Sequence, residues 1–177
     1  MFFVALSVQV RVNQMGVWEI LRFRPRKGVN EKSDPAIDKV ADDICRNLRA
    51  LGLYVESKKY RSGFCEIVAS SSRKMITLPD GKEASGIALL LAKKYDPPAV
   101  VFEEINSLRA GLGSQMVRAV VAALDESPRV FERLRVNDLS PRMKDGRRWW
   151  EHIASSYPEF EWHITHDEDL THFIKAS

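Results

Sequence analysis

From Val4 to Val12 apolar and polar residues alternate, with Val8, Val10 and Val12 set against Gln9 and Arg11. A period of two marks a strand with one buried face. Asn13-Gln14-Met15-Gly16 reads as a turn and Val17 to Phe23 as a second strand, so the pair predicts a hairpin. The period then changes. Ser33-Asp34-Pro35 carries a capping residue and a first-turn proline, and Ile37, Val40, Ile44, Leu48 and Leu51 recur at helical spacing up to Gly52. Leu53 to Tyr60 and Phe64 to Ala69 return to strand patterning around Arg61-Ser62-Gly63, a second hairpin. Lys74 to Leu78 is a further short strand, closed by the turn Pro79-Asp80-Gly81. Ala84 to Tyr95 is expected to be a short helix, well buried because Ile87 to Ala92 is apolar nearly all round.

Beyond Asp96-Pro97-Pro98 a new rhythm begins. Val100-Val101-Phe102 opens a strand, and Met116, Val117, Val120, Val121 and Leu124 then share one helical face until Ser127-Pro128. Val130 to Val136 reads as a strand. A helix starting at or just after Pro141 carries Trp149, Trp150 and Ile153 and ends at Tyr157-Pro158. Phe160 to Ile164 alternates as a strand, and a final short helix is expected from Glu168. Strand, helix, strand, helix, strand predicts at least one parallel pair joined by a crossover helix. With no repeat, low-complexity tract or linker, residues 1–177 read as one α/β (α+β) domain: a mixed central sheet with flanking helices.

Composition narrows this little. The apolar share of 45% and charged share of 29% over 177 residues are those of a soluble globular chain. The net charge of +3 is too small to argue for nucleic acid by itself, although a pI near 8.9 leaves it open. Arg129, Arg133, Arg135, Arg142, Lys144, Arg147 and Arg148 form a basic stretch, but Glu132, Asp138 and Asp145 interrupt it, as on a solvated face. Cys45 and Cys65 have neither metal nor redox spacing and read as buried small residues in a reducing cytosol. The apolar start Met1 to Val8 lacks a basic flank and is too short to span a bilayer, so a cytoplasmic protein with no membrane partner is expected. His163, His166 and Asp167 give no complete metal-ligand set.

The chemistry concentrates in residues 104–124. A strand ends in a polar turn, Gly111 and Gly113 follow one residue apart, and a helix starts at once. Uncapped N–H groups and the dipole at a helix start attract an anion, and glycines let the backbone approach it. Arg109 adds a forked cation and Ser114 a hydroxyl. The same residues could equally be a plain strand-to-helix turn. The stretch lacks the Lys-Ser/Thr of a P-loop, and Met116 stands where a dinucleotide fingerprint has its third glycine.

This segment resembles the acetyl-CoA signature of the GNAT superfamily of N-acetyltransferases, in which a strand leads to Gln/Arg-x-x-Gly-x-Gly/Ala and a helix. Gly111 and Gly113 match the glycines. The first position falls on Leu108, with Arg109 one residue later. The resemblance runs through Val130–Val136, Asn137-Asp138-Leu139-Ser140, the helix bearing Trp149 and Trp150, and Phe160–Ile164. It makes residues 99–165 a cofactor-binding half and residues 1–98 a divergent half of a GNAT-like acyl-CoA N-acyltransferase architecture.

The resemblance implies acetyl-CoA as cofactor, its pyrophosphate on the loop and its pantetheine along the splayed strand. Cofactor contacts are then expected from Ile105, Ser107, Arg109, Ala110, Gly111, Leu112, Gly113 and Ser114. An amine acceptor, small molecule or protein, attacks the thioester directly, which calls for a base and sometimes an acid. Glu103 and Glu104 are the candidate bases; strand alternation would set them on opposite faces, leaving one for the substrate. The family's thiolate-protonating tyrosine corresponds to Trp150, which has no titratable hydroxyl. Ser140 is carried as a candidate acid, although neither it nor Tyr157 falls on that position. Two other functions stay open: a GNAT-like binding protein without activity, which Leu108 and Trp150 favour, and a nucleic-acid or nucleoprotein binder. A homodimer is also left open.

Overall fold

The computed structural model describes residues 34–60, 63–73, 84–127, 130–138 and 143–166. The expected hairpin at 4–23, the strand at 74–78, Ser140 and the helix from Glu168 lie outside them.

Helix α1 (Pro35–Ala50) is followed by β1 (Tyr54–Tyr60), β2 (Phe64–Ser70), β3 (Gly86–Ala92) and β4 (Ala99–Asn106). Helix α2 (Leu112–Asp125), β5 (Arg133–Asp138), α3 (Met143–Ser155) and β6 (Glu161–His166) complete the order. The six strands form one sheet in chain order. β1 to β4 are an antiparallel meander, and β4, β5 and β6 run parallel. The described residues thus make a mixed α/β fold, and none of their helices is long and apolar enough to cross a membrane.

Residues 84–95 correct the sequence reading. They hold β3, not a helix, and β3 pairs along its whole length with both β2 and β4. A continuous apolar run fits a strand buried on both faces as well as a buried helix, and periodicity cannot separate them. The parallel pairs among the described residues number two, joined through α2 and α3.

Such crossovers are right-handed almost without exception, which carries successive helices to one face. The main core agrees: Ile44 and Leu48 of α1, Met116 and Val120 of α2, and Trp150 and Ile153 of α3 join Ile67, Leu89, Phe102 and Leu134 of the sheet. Each fully buried side chain of this kind contributes about 1.5–3 kcal/mol. Leu90, Ala92 and Val101 form a smaller cluster on the other face, with Phe64 and Tyr95 against it.

Helix α1 begins where the sequence requires. Asp34 caps it by accepting a hydrogen bond from the Ala36 N–H at 3.0 Å, and Lys93, from the β3–β4 turn, pairs with the same carboxylate. Asp43, buried on α1, is held by Lys39 at 2.6 Å, by Arg46 and by the Ser127 hydroxyl at 3.2 Å. That network ties α1 to the end of α2.

Candidate functional site

Strand β4 carries the site, and an irregularity shapes it. Glu104 faces Ala88 and Phe102 faces Leu89, so Glu103 is one residue too many. Such a β-bulge breaks alternation and re-aims side chains. Phe102 and Ile105, three apart, consequently both lie against the main core. The expected opposition of Glu103 and Glu104 therefore does not hold.

The strand also parts from its neighbour there. β4 pairs with β5 only from Ala99 to Phe102, while β5 goes on pairing with β6 through Asp138. Among the described residues, the edge of β4 beyond Phe102 has no strand on its β5 side. The chain end of β4 is fixed from the opposite side: the Asn106 amide donates to the Ala84 carbonyl at 2.8 Å, and the Ser85 hydroxyl accepts from the Leu108 N–H at 2.8 Å.

The glycine turn follows. Gly111 caps α2 in the left-handed region, φ 78°, where a side chain is strained. Among the described residues no side chain caps this helix start. The Gly111 carbonyl accepts the first helical bond, from Gln115 at 3.0 Å, and the Leu112 N–H turns back to Arg109 at 3.2 Å. A β-carbon on Gly113 would sit 3.5 Å from the Trp149 indole, so the ring closes directly over the first turn of α2.

These groups line a cleft of about 340 Å³. Of the residues expected to contact a cofactor, Ile105, Ser107, Arg109, Ala110, Gly111, Gly113 and Ser114 line it. Leu112 does not: it is buried in the core. Leu108 and Trp149 complete the wall. Among the described residues the lining holds the Arg109 guanidinium, the Ser114 hydroxyl and the uncapped helix start, with no carboxylate, a donor set that suits an anion; the Ser107 hydroxyl already donates to the Arg109 carbonyl at 2.6 Å.

The adjacent tryptophans divide the roles of wall and core. Trp150 is buried, 5.4 Å from the Phe102 ring and 6.3 Å from Trp162. Trp149 meets Trp150 edge-on at 4.6 Å and donates its indole N–H to the Ser114 hydroxyl at 3.3 Å.

Glu103, half-buried two residues before the cleft-lining Ile105, has its carboxyl pushed up to about 7. Burial is the main cause, and the Glu66 and Glu104 carboxylates add to it. Glu66 accepts a hydrogen bond from the Tyr60 hydroxyl at 3.0 Å. Sequence reasoning missed Glu66 and Tyr60, because only strand register brings β2 toward the bulge. Of the basic stretch, Arg133 is occupied by Glu161 at 2.7 Å and Arg135 lies over the Tyr95 ring.

Comparison of the chain with protein-family models, with curated proteins and with solved structures finds no match.

Proposed function

We propose that the protein is an acetyl-CoA-dependent N-acetyltransferase with a GNAT-like architecture, acting on an amine. The observation that carries this is the joining of two features on one strand: a carboxyl poised near neutrality at the β4 bulge, and, a few residues on, a cleft under an uncapped helix start whose described lining has no acid. The parting of β4 from β5 supports it further: among the described residues no strand pairs with that edge of β4 beyond Phe102, where an extended ligand such as pantetheine would fit.

Bound acetyl-CoA would supply a thioester open to attack by the amine. Arg109, the Ser114 hydroxyl and the N–H groups of Gly113 and Ser114 in the first turn of α2 would hold its diphosphate. Trp149 walls that end from water. Glu103 takes the proton of the acceptor amine, directly or through a water, and its raised basicity suits that task near pH 7.

A binding protein without transfer activity is the second reading, favoured by Trp150. Its indole belongs to the core, so that helix position offers no proton to a leaving thiolate. Release of free thiol from acetyl-CoA over a panel of amines separates the two. Amine-dependent thiol release is expected. Saturable binding with no release on any amine would favour the second reading.

A further inference from the structure

We infer that Trp149 is a positioning residue for the phosphate-binding end of the cleft: its indole N–H fixes the Ser114 hydroxyl so that the hydroxyl hydrogen is presented to an anionic diphosphate. The inference rests on the cofactor reading above and adds a residue from another element to it.

The geometry is specific. Ser114 stands in the first turn of α2 and lines the cleft. A serine hydroxyl has one hydrogen to give and two lone pairs to receive. Trp149, from α3, donates to Ser114 Oγ at 3.3 Å. Indole can only donate, so this contact settles the direction of the bond. One lone pair is thereby occupied, and the Ser114 hydrogen is left without an acceptor among the described residues. It is free to join the uncapped N–H groups of the same turn, and these two kinds of donor converge with the Arg109 guanidinium on one cleft.

Two further contacts hold the indole in place. The ring lies against the backbone of α2 at Gly113, where an added β-carbon would be in ordinary van der Waals contact with it at 3.5 Å. Trp150, itself locked in the core against Phe102, packs edge-on against Trp149. A ring held on two sides loses little freedom on binding, and preorganised donors raise affinity by that saving.

Calorimetric titration with acetyl-CoA and, separately, with inorganic pyrophosphate tests this on the full chain. Trp149→Phe keeps a ring and removes the N–H. Ser114→Ala removes the hydroxyl, and Ser114→Thr restores one. Each of the first two is expected to weaken both ligands by about tenfold, the size of one charge-assisted hydrogen bond. The double variant should lose little more than either single one, because both act through one hydroxyl. Ser114→Thr should bind as the parent does. If the parent binds acetyl-CoA and the variants bind it equally well, the inference falls and the cofactor reading stands. If pyrophosphate binding depends on the pair but acetyl-CoA is not bound, the inference stands and the acetyltransferase reading falls. No binding of either ligand by the parent overturns both.

Discussion

Glu103 concentrates the chemistry at the scale of single residues. Its carboxyl holds a proton up to about 7 in the folded chain, against an ordinary value of 4.5. As the proposed base it would work only when ionised, so kcat/KM should rise with pH to a plateau above about 7. Glu103→Gln should lower turnover by roughly 10²–10⁴-fold and remove that limb of the profile. A variant with full activity and an unchanged profile would deny Glu103 this role. Stability follows with the opposite sense. Between 4.5 and about 7 the folded state binds more protons than the unfolded one, so this residue's contribution falls as pH rises through that window. The uncharged Glu103→Gln chain should accordingly melt higher than the parent at pH 8, with the gain gone by pH 4, as thermal scans at the two pH values would record. Much of this residue-level picture was hidden in the sequence. Two neighbouring glutamates on a strand imply opposite faces, and only the bulge undoes that. The influence of Glu66 needs the register of two further strands. Gly111, Gly113, Arg109 and Ser114 were legible, because the loop and the helix it opens are contiguous in the chain.

Among the elements, β3 is the instructive one. Its seven residues, Gly-Ile-Ala-Leu-Leu-Leu-Ala, are apolar throughout, and leucine-rich runs suit a buried helix as well as a central strand. What decides is the partner on each side, which local sequence does not contain. As a central strand β3 should tolerate little: Leu89→Ala, at a site with no exposure, is expected to cost about 2–5 kcal/mol in urea unfolding. A loss under 1 kcal/mol would argue against a tightly packed strand there. Helix α1 was legible at its start, because cap and proline act locally. Asp34→Ala should cost about 1 kcal/mol through the lost cap. The bond from Lys93 holds the Asp34 carboxyl below its ordinary range, so its stabilisation is present above the unfolded value and lost as pH falls through the folded one. The difference between parent and Asp34→Ala in urea midpoints should therefore shrink in acid; an undiminished difference would contradict the ion pair.

At the scale of the whole molecule, the helices of the described residues pack on one face of their mixed sheet, and the cleft opens where β4 leaves β5 and enters α2. Both cysteines are free and buried, Cys45 on the inner face of α1 and Cys65 on β2, and burial pushes the Cys65 thiol up to about 12. They should react with a thiol reagent only as fast as the chain unfolds, and rapid modification of the native protein would contradict the packing of α1 on β2. The central claim is that the cleft at the glycine turn takes the diphosphate of acetyl-CoA. Its most direct measurement is the melting temperature of the parent, of Gly111→Ala and of Gly111→Glu across an acetyl-CoA titration. Both variants carry the same left-handed backbone strain, and only the second places a carboxylate at the cleft. At a hundredfold excess over the dissociation constant, ligand stabilisation of about 2.7 kcal/mol should raise the parent's midpoint by roughly 5–10 °C. Gly111→Ala should retain a rise, and folded Gly111→Glu should show none. No rise in the parent at millimolar acetyl-CoA, or an equal rise in Gly111→Glu, would contradict the claim.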